Sequence, residues 1–166
     1  MGEPCDSLGI ELRQRLTGVG DKGGTMSDKL IEAAKQNVIA YNEKDWDKVA
    51  ASVTPGYVYD EVPTNRKVEG LAAVLDVWKG WATAFPDSKA TFDRAYASGN
   101  TVIFEVTWNA THTGPMATPN GEIPATGKSA RFRSVMVVEM EGDKAAATRQ
   151  YYDLATFMSQ LGINFT

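Results

Sequence analysis

The chain has 166 residues, 43% of them hydrophobic and 23% charged, which suits one globular domain with a sizeable core. A net charge of -4 without any Lys/Arg run argues against nucleic acid as a partner, and no apolar run approaches the roughly 20 residues of a membrane span. A single cysteine, Cys5, forms no internal disulfide, and with one histidine there is no zinc-ligand spacing, so a metal-free protein of the reducing cytoplasm is expected.

Residues 1–25 lack the apolar centre of a secretory signal and end in Gly18-Val19-Gly20-Asp21-Lys22-Gly23-Gly24-Thr25, a linker-like composition followed by Met26. They are expected to form an ill-ordered extension, with residues 26–166 as the folded domain. A short amphipathic helix through Leu8, Leu12 and Leu16 is the alternative, although such isolated helices are marginal in water.

Ser27 is placed to cap a helix in which Leu30, Ala34, Val38 and Tyr41 recur at helical spacing, ending near Asn42 to Lys44. A shorter helix over Asp45 to Ser52 is broken by Thr54-Pro55-Gly56, and Tyr57 to Val62 then alternates as a strand. From Gly70 to Phe85, Leu71, Val74, Leu75, Trp78, Trp81 and Phe85 make a wide apolar stripe that stops at Pro86-Asp87. The period then changes to two. Lys89 to Ala97, Thr101 to Thr113, Lys128 to Glu141 and Lys144 to Tyr152 read as strands of an antiparallel sheet, with turns at Ser98-Gly99-Asn100 and Glu141-Gly142-Asp143. Residues 114–127 are too rich in Pro and Gly for a regular element and are long enough to act as a flap. Asp153 to Leu161 closes the chain as a short helix ending at Gly162. Helices first and a curved sheet second make an α+β domain with a pocket between the layers.

The only histidine, His112, falls on the apolar face of its strand, in register with Val102, Phe104, Val106, Trp108 and Ala110. It reads either as a packed strand-end imidazole or as a proton-handling group at the pocket lip. Asp153 stands at a strand-to-helix junction, where it reads as an N-cap or as a half-desolvated acid with a raised pKa. Asp60 is a third candidate, able to orient a substrate or act as a base. The aromatic group Tyr41, Trp46, Tyr59, Trp78, Trp81 and Phe85 is core that could also line a planar, apolar ligand. Arg131 and Arg133 share a strand face with Glu139 and read as a solvated ionic surface.

Several stretches resemble the SnoaL-like polyketide cyclases, of the nuclear transport factor 2-like cone fold. These are Trp108-Asn109-Ala110-Thr111-His112-Thr113-Gly114, Pro124-Ala125-Thr126-Gly127-Lys128, Tyr151-Tyr152-Asp153, Asn42-Glu43-Lys44-Asp45-Trp46 and Ala84-Phe85-Pro86-Asp87. The resemblance covers roughly residues 27–163. It implies a cofactor-independent intramolecular aldol cyclisation of a polyketide-type ester, with Asp153 as acid/base and His112 hydrogen-bonding the enolate. It further implies a homodimer through the outer face of the sheet. The expected partner is a small apolar carbonyl compound, and the residues expected to hold it are Asp60, Tyr41, Tyr59, Trp78, Trp108 and Tyr151.

Three other readings stand beside it. A limonene-epoxide-hydrolase-like enzyme shares the Arg149 to Asp153 stretch, yet needs an arginine and an acid where this chain has Val106, Thr107, Trp108 and Asn109. A steroid-isomerase-like enzyme would use an acid near Asp60, but the tyrosine of its oxyanion hole falls closest to Asn37. The last is a binding module in which His112 and Asp153 only satisfy each other.

Overall fold

The computed structural model describes residues 24–118 and 121–163, so the expectation for residues 1–25 lies outside the described residues except at its last two positions. Helix α1 (Met26–Glu43) begins earlier than its Ser27 signal suggests. Thr25 takes the cap instead: its hydroxyl accepts the Asp28 N–H at 3.1 Å, while the Asp28 carboxylate accepts the Thr25 N–H at 2.9 Å. The helix stops at Lys44, which turns left-handed with φ 58°. Helix α2 (Trp46–Ala51) follows at once, capped by the Asp45 carboxylate on the Lys48 N–H.

Strand β1 (Val53–Glu61) contains Thr54-Pro55-Gly56 rather than following it. The register against its neighbour shifts between Val53 and Val58, so the proline sits in an irregular stretch where no ladder donor is missed. A 3-10 turn (Val62–Thr64) leads into β2 (Arg66–Glu69), an edge strand of four residues whose charged sequence carries no apolar alternation. Helix α3 (Leu71–Ala84) is the apolar-striped one, and β3 (Lys89–Ser98) and β4 (Thr101–Thr111) form the next hairpin. The segment expected to be irregular folds part of itself into a two-stranded hairpin, β5 (Met116–Thr118) with β6 (Gly121–Ile123), and buries Met116. The long strands β7 (Ser129–Glu141) and β8 (Lys144–Tyr152) and helix α4 (Leu154–Gln160) complete the chain.

These elements make an α+β fold with helices on a curved six-stranded sheet of order β2-β1-β8-β7-β4-β3. All pairings are antiparallel except β1 with β8, which is parallel. The inner face of β4 is buried at Val102, Phe104, Val106 and Ala110, as its alternation requires. One core cluster packs α1 and α3 on the sheet through Val38, Tyr41, Trp78, Phe104 and Met136. A second lies under α4 and joins Phe85, Ala110, Ala130, Phe157 and Leu161. The outer face carries ion pairs, Arg133 with Glu105 at 3.3 Å and Arg149 with Glu139 at 2.9 Å. Among the described residues no helix is long and apolar enough to cross a membrane.

The segment after β4 is stapled to the end of α3, where the N–H groups of Thr113 and Gly114 both reach the Ala84 carbonyl at 3.1 Å. A Cβ on Gly114 would stand 2.0 Å from the Thr83 carbonyl oxygen, whereas one on Gly56 would meet nothing within 4 Å. Gly114→Ala should therefore destabilise the fold by about 1–3 kcal/mol, an overpacking cost. Gly56→Ala should stay within about 0.5 kcal/mol, as urea unfolding of both variants will measure.

Candidate functional site

Period two places Tyr57, Tyr59 and Glu61 of β1 on the same inward face, and Thr148, Gln150 and Tyr152 of β8 on theirs. The parallel junction brings the two rows together. Tyr59 donates its phenol to Gln150 Oε1 at 2.8 Å, and Tyr152 donates to Glu61 Oε1 at 2.9 Å. At the other end of the row the Tyr57 hydroxyl, the Thr148 hydroxyl and the Asn37 amide are buried without a hydrogen bond of normal geometry among the described residues.

Glu61 is the buried charge of this row, with 2% of its surface exposed. Its Oε2 accepts Arg66 Nε at 2.9 Å, a second bond from Arg66 Nη2, and Thr64 Oγ1 at 3.0 Å. Arg66 lies over the Trp81 ring at 5.7 Å, so an aromatic face holds the cation that compensates the acid.

A cavity opens between this row and the helices. It is lined by Tyr41, Tyr59, Glu61, Trp78, Trp81, Phe85, Ser88, Trp108, Gln150 and Tyr152 together with apolar side chains, and among the described residues Glu61 is the sole charged one of the lining. Its volume is about 70 Å³. Trp78 is edge-on to Tyr41, Tyr57 and Tyr59, and Tyr41 is edge-on to Trp46 and Trp108, which fixes the walls.

A second polar group faces the same cavity. Tyr41 Oη and Ser88 Oγ are 2.9 Å apart, and Lys44 Nζ donates to the Ser88 carbonyl at 2.7 Å and to Ser88 Oγ at 3.2 Å. The ammonium also sits 4.2 Å from the centre of the Tyr41 ring.

Burial raises the pKa of every phenol here. It pushes Tyr59 and Tyr152 well up, with Glu61 adding to both, and pushes Tyr41 up against a small opposing effect of its Ser88 bond. The phenols are therefore hydrogen-bond donors across the physiological range. Desolvation and then Lys89 lower Lys44, while Asp87 acts the other way.

Of the residues singled out in the sequence, Tyr41, Tyr59, Trp78 and Trp108 line the cavity. Asp60 and Tyr151 do not, because strand alternation turns them to the face opposite Tyr59 and Tyr152, and Tyr151 is 41% exposed. His112 is fully buried at the inner end of β4, but behind the wall, stacked on Phe85 with ring centres 5.0 Å apart. Its Nδ1 accepts the Thr126 N–H at 3.3 Å and pairs with Thr126 Oγ1 at 3.2 Å, while Nε2 has no partner among the described residues. The expected half-desolvated acid at Asp153 is corrected as well. Its carboxylate caps α4, taking the Thr156 N–H at 2.9 Å and the Thr156 hydroxyl at 2.6 Å, and these bonds lower its pKa. Asp153 is exposed, and no hydrogen bond joins it to His112.

Sequence reasoning passed over Glu61, Tyr152, Gln150 and Ser88. A signal for the first was present, since Glu61 is two and four residues from Tyr59 and Tyr57 and must share their face if they are inward.

The profile of the SnoaL-like polyketide cyclases matches residues 31–161. Similar solved structures include a protein of Jannaschia sp. CCS1 provisionally assigned as a SnoaL-like polyketide cyclase, at 15% identity and TM-score 0.74, covering 88% of this chain and 100% of that one. IdmH of Streptomyces antibioticus, provisionally assigned as a polyketide cyclase, is 18% identical with TM-score 0.67 over 81% and 99% of the two chains. An epoxide hydrolase of M. tuberculosis, of the limonene-epoxide-hydrolase-like kind, is 18% identical with TM-score 0.65 over 82% and 92%. These likenesses establish the fold. Among curated proteins, none matches the chain.

The buried imidazole yields a pH prediction. Desolvation lowers the His112 pKa in the folded protein, with the Gly114 backbone acting in the opposite sense. The unfolded chain therefore binds the proton more readily, and the stability this neutral ring contributes is present above the unfolded value near 6.5 and is lost as pH falls below it. Replacing His112 with Phe, which keeps the ring against Phe85, should flatten the fall in unfolding free energy as pH drops below the unfolded value near 6.5, as denaturant titrations at several pH values will show.

Proposed function

The chain belongs to the SnoaL-like polyketide cyclase family, and on that premise we propose that it performs cofactor-independent acid/base chemistry on a carbonyl compound with Glu61 as the proton acceptor. The observation that carries this reading is a carboxylate, buried and charge-compensated, as the single ionic group among the described residues that line an aromatic cavity. In the reaction Glu61 Oε1 takes a proton from the carbon alpha to a carbonyl, and the electron pair of that C–H bond moves onto the carbonyl oxygen as an enolate. The enolate carbon attacks a second carbonyl of the same molecule, and protonated Glu61 returns its proton to the new alkoxide. Arg66 and Thr64 hold Oε2, which leaves Oε1 with one lone pair beyond the Tyr152 bond for this exchange.

The substrate proposed is a polyketide-type ester whose reacting end enters the cavity. Asp153, the acid to which the family resemblance pointed, is here given the role of a helix cap, because its oxygens are occupied by Thr156 and open to solvent. His112 is given the role of fixing the segment after β4 behind Phe85. A homodimer through the outer face of the sheet fits two exposed apolar pairs there, Tyr96 opposite Ile103 and Val135 opposite Tyr151.

Solvent-deuterium exchange into the activated methylene of ethyl 3-oxo-3-phenylpropanoate, followed by NMR above the buffer background, tests the assignment. Glu61→Gln should reduce catalysed exchange by about 10²–10⁴-fold. Asp153→Ala should keep the exchange rate while costing about 0.5–2 kcal/mol of stability. The reverse pattern would return the base to Asp153, and binding of the ester without exchange by the unaltered protein would make the domain a binding module.

A further inference from the structure

We infer that Ser88 and Tyr41, backed by Lys44, form an oxygen-binding pole in the cavity that takes the carbonyl or enolate oxygen of the ligand. The inference deepens the acid/base reading above and rests on it for the identity of that oxygen. A count of protons gives the argument. The two hydroxyls share one hydrogen bond at 2.9 Å, and Lys44 Nζ, which can only donate, occupies a lone pair of Ser88 Oγ at 3.2 Å. No other hydrogen bond reaches either hydroxyl among the described residues.

If Tyr41 donates to Ser88, both lone pairs of Oγ are taken, by Lys44 and Tyr41, and the Ser88 proton is free. If Ser88 donates to Tyr41, the Tyr41 proton is free. In either arrangement one O–H donor is left over. Both side chains line the cavity, and both are buried, Tyr41 at 7% and Ser88 at 5% exposed, so the free proton has the cavity in which to find an acceptor.

The ammonium decides what that acceptor is. Lys44 donates to both oxygens of Ser88 and lies against the Tyr41 ring, so its charge draws electron density from the two hydroxyls and strengthens the free donor. Lys89 and Asp87 act on Lys44 in opposite senses, and the ammonium is the cation bonded to Ser88. A donor with a cation behind it prefers an oxygen carrying negative charge, and gains most as that charge develops. Glu61 is an acceptor on the β1 side of the same cavity, so the chain presents a hydrogen-bond donor at one place and a proton acceptor at another. The ligand class is then a mostly apolar carbonyl compound, its oxygen at Ser88 and Tyr41 and its acidic carbon toward Glu61. Tyr41 and Ser88 touch the ligand, and Lys44 is a positioning residue that acts through them.

The probe is 4-nitrophenol, whose phenolate copies an enolate oxygen on a flat ring, read by absorbance titration across pH on the full chain, with naphthalene as a neutral ligand of similar shape. The unaltered protein should bind the phenolate in preference to the phenol. The double variant Ser88→Ala/Tyr41→Phe should lose about tenfold or more of the phenolate affinity while naphthalene affinity is kept. Each single variant should lose less, because the remaining hydroxyl still has a proton to give. Lys44→Met should lower phenolate affinity in the same sense and Lys44→Arg should restore most of it. A double variant that keeps its phenolate affinity, or that loses phenolate and naphthalene alike, overturns the proposal. Exchange that depends on Glu61 combined with phenolate binding indifferent to Ser88 and Tyr41 removes the pole and leaves the base standing. The opposite combination leaves an oxygen-binding cavity without the chemistry.

Discussion

Keeping a carboxylate inside an aromatic core is the constraint around which this domain is organised. An ionised acid taken out of water loses several kcal/mol of solvation unless a partner replaces it. Glu61 is supplied from three directions: Thr64 in the 3-10 turn, Arg66 on the short edge strand, and Tyr152 at the end of β8. The first two of these elements are short, a three-residue turn and a four-residue edge strand. Their placement makes sense as the surroundings of one side chain. The Trp81 ring beneath Arg66 extends the same logic to α3, since the cation must itself be held where it faces the acid.

The aromatic residues are the second layer of that organisation. Trp78 meets three tyrosines edge-on, so its ring sets the positions of Tyr41, Tyr57 and Tyr59 together. Two of these carry hydroxyls bonded within the cavity, to Ser88 and to Gln150. The packing of one indole thereby aligns the polar groups that a ligand would meet. His112 belongs to a separate arrangement, in which its ring backs Phe85 and its backbone and Nδ1 tie the end of β4 to Thr126, Gly127 and Lys128.

Much of this was legible in the sequence where one physical signal dominated. The apolar stripe from Leu71 to Phe85 and the alternation of the four long strands set elements whose ends shift by a residue or two. The strand β2 was not legible, because Arg66-Lys67-Val68-Glu69 is charged, short and at an edge. The parallel pairing of β1 with β8 was equally hidden, since strands far apart in the chain leave no turn between them to read. That gap explains why the acids named from the sequence lie outside the cavity lining. Asp60 and Asp153 have ordinary candidate features, while Glu61 becomes conspicuous only when Tyr59 is known to face Gln150. For Asp153 the cap signal and the catalytic signal were the same residue before the same helix, and the Thr156 bonds separate them.

The two bonds that bridge β1 and β8, Tyr59 to Gln150 and Tyr152 to Glu61, each join residues 91 positions apart. Closing so long a loop is entropically slow and depends on the intervening hairpins forming first. During synthesis β1 leaves the ribosome early and must wait, with its tyrosines and its acid unpartnered, until the last strand follows. Completion of the fold and assembly of the cavity are in this way one event, and a chain released before β8 would have most of its residues but no site.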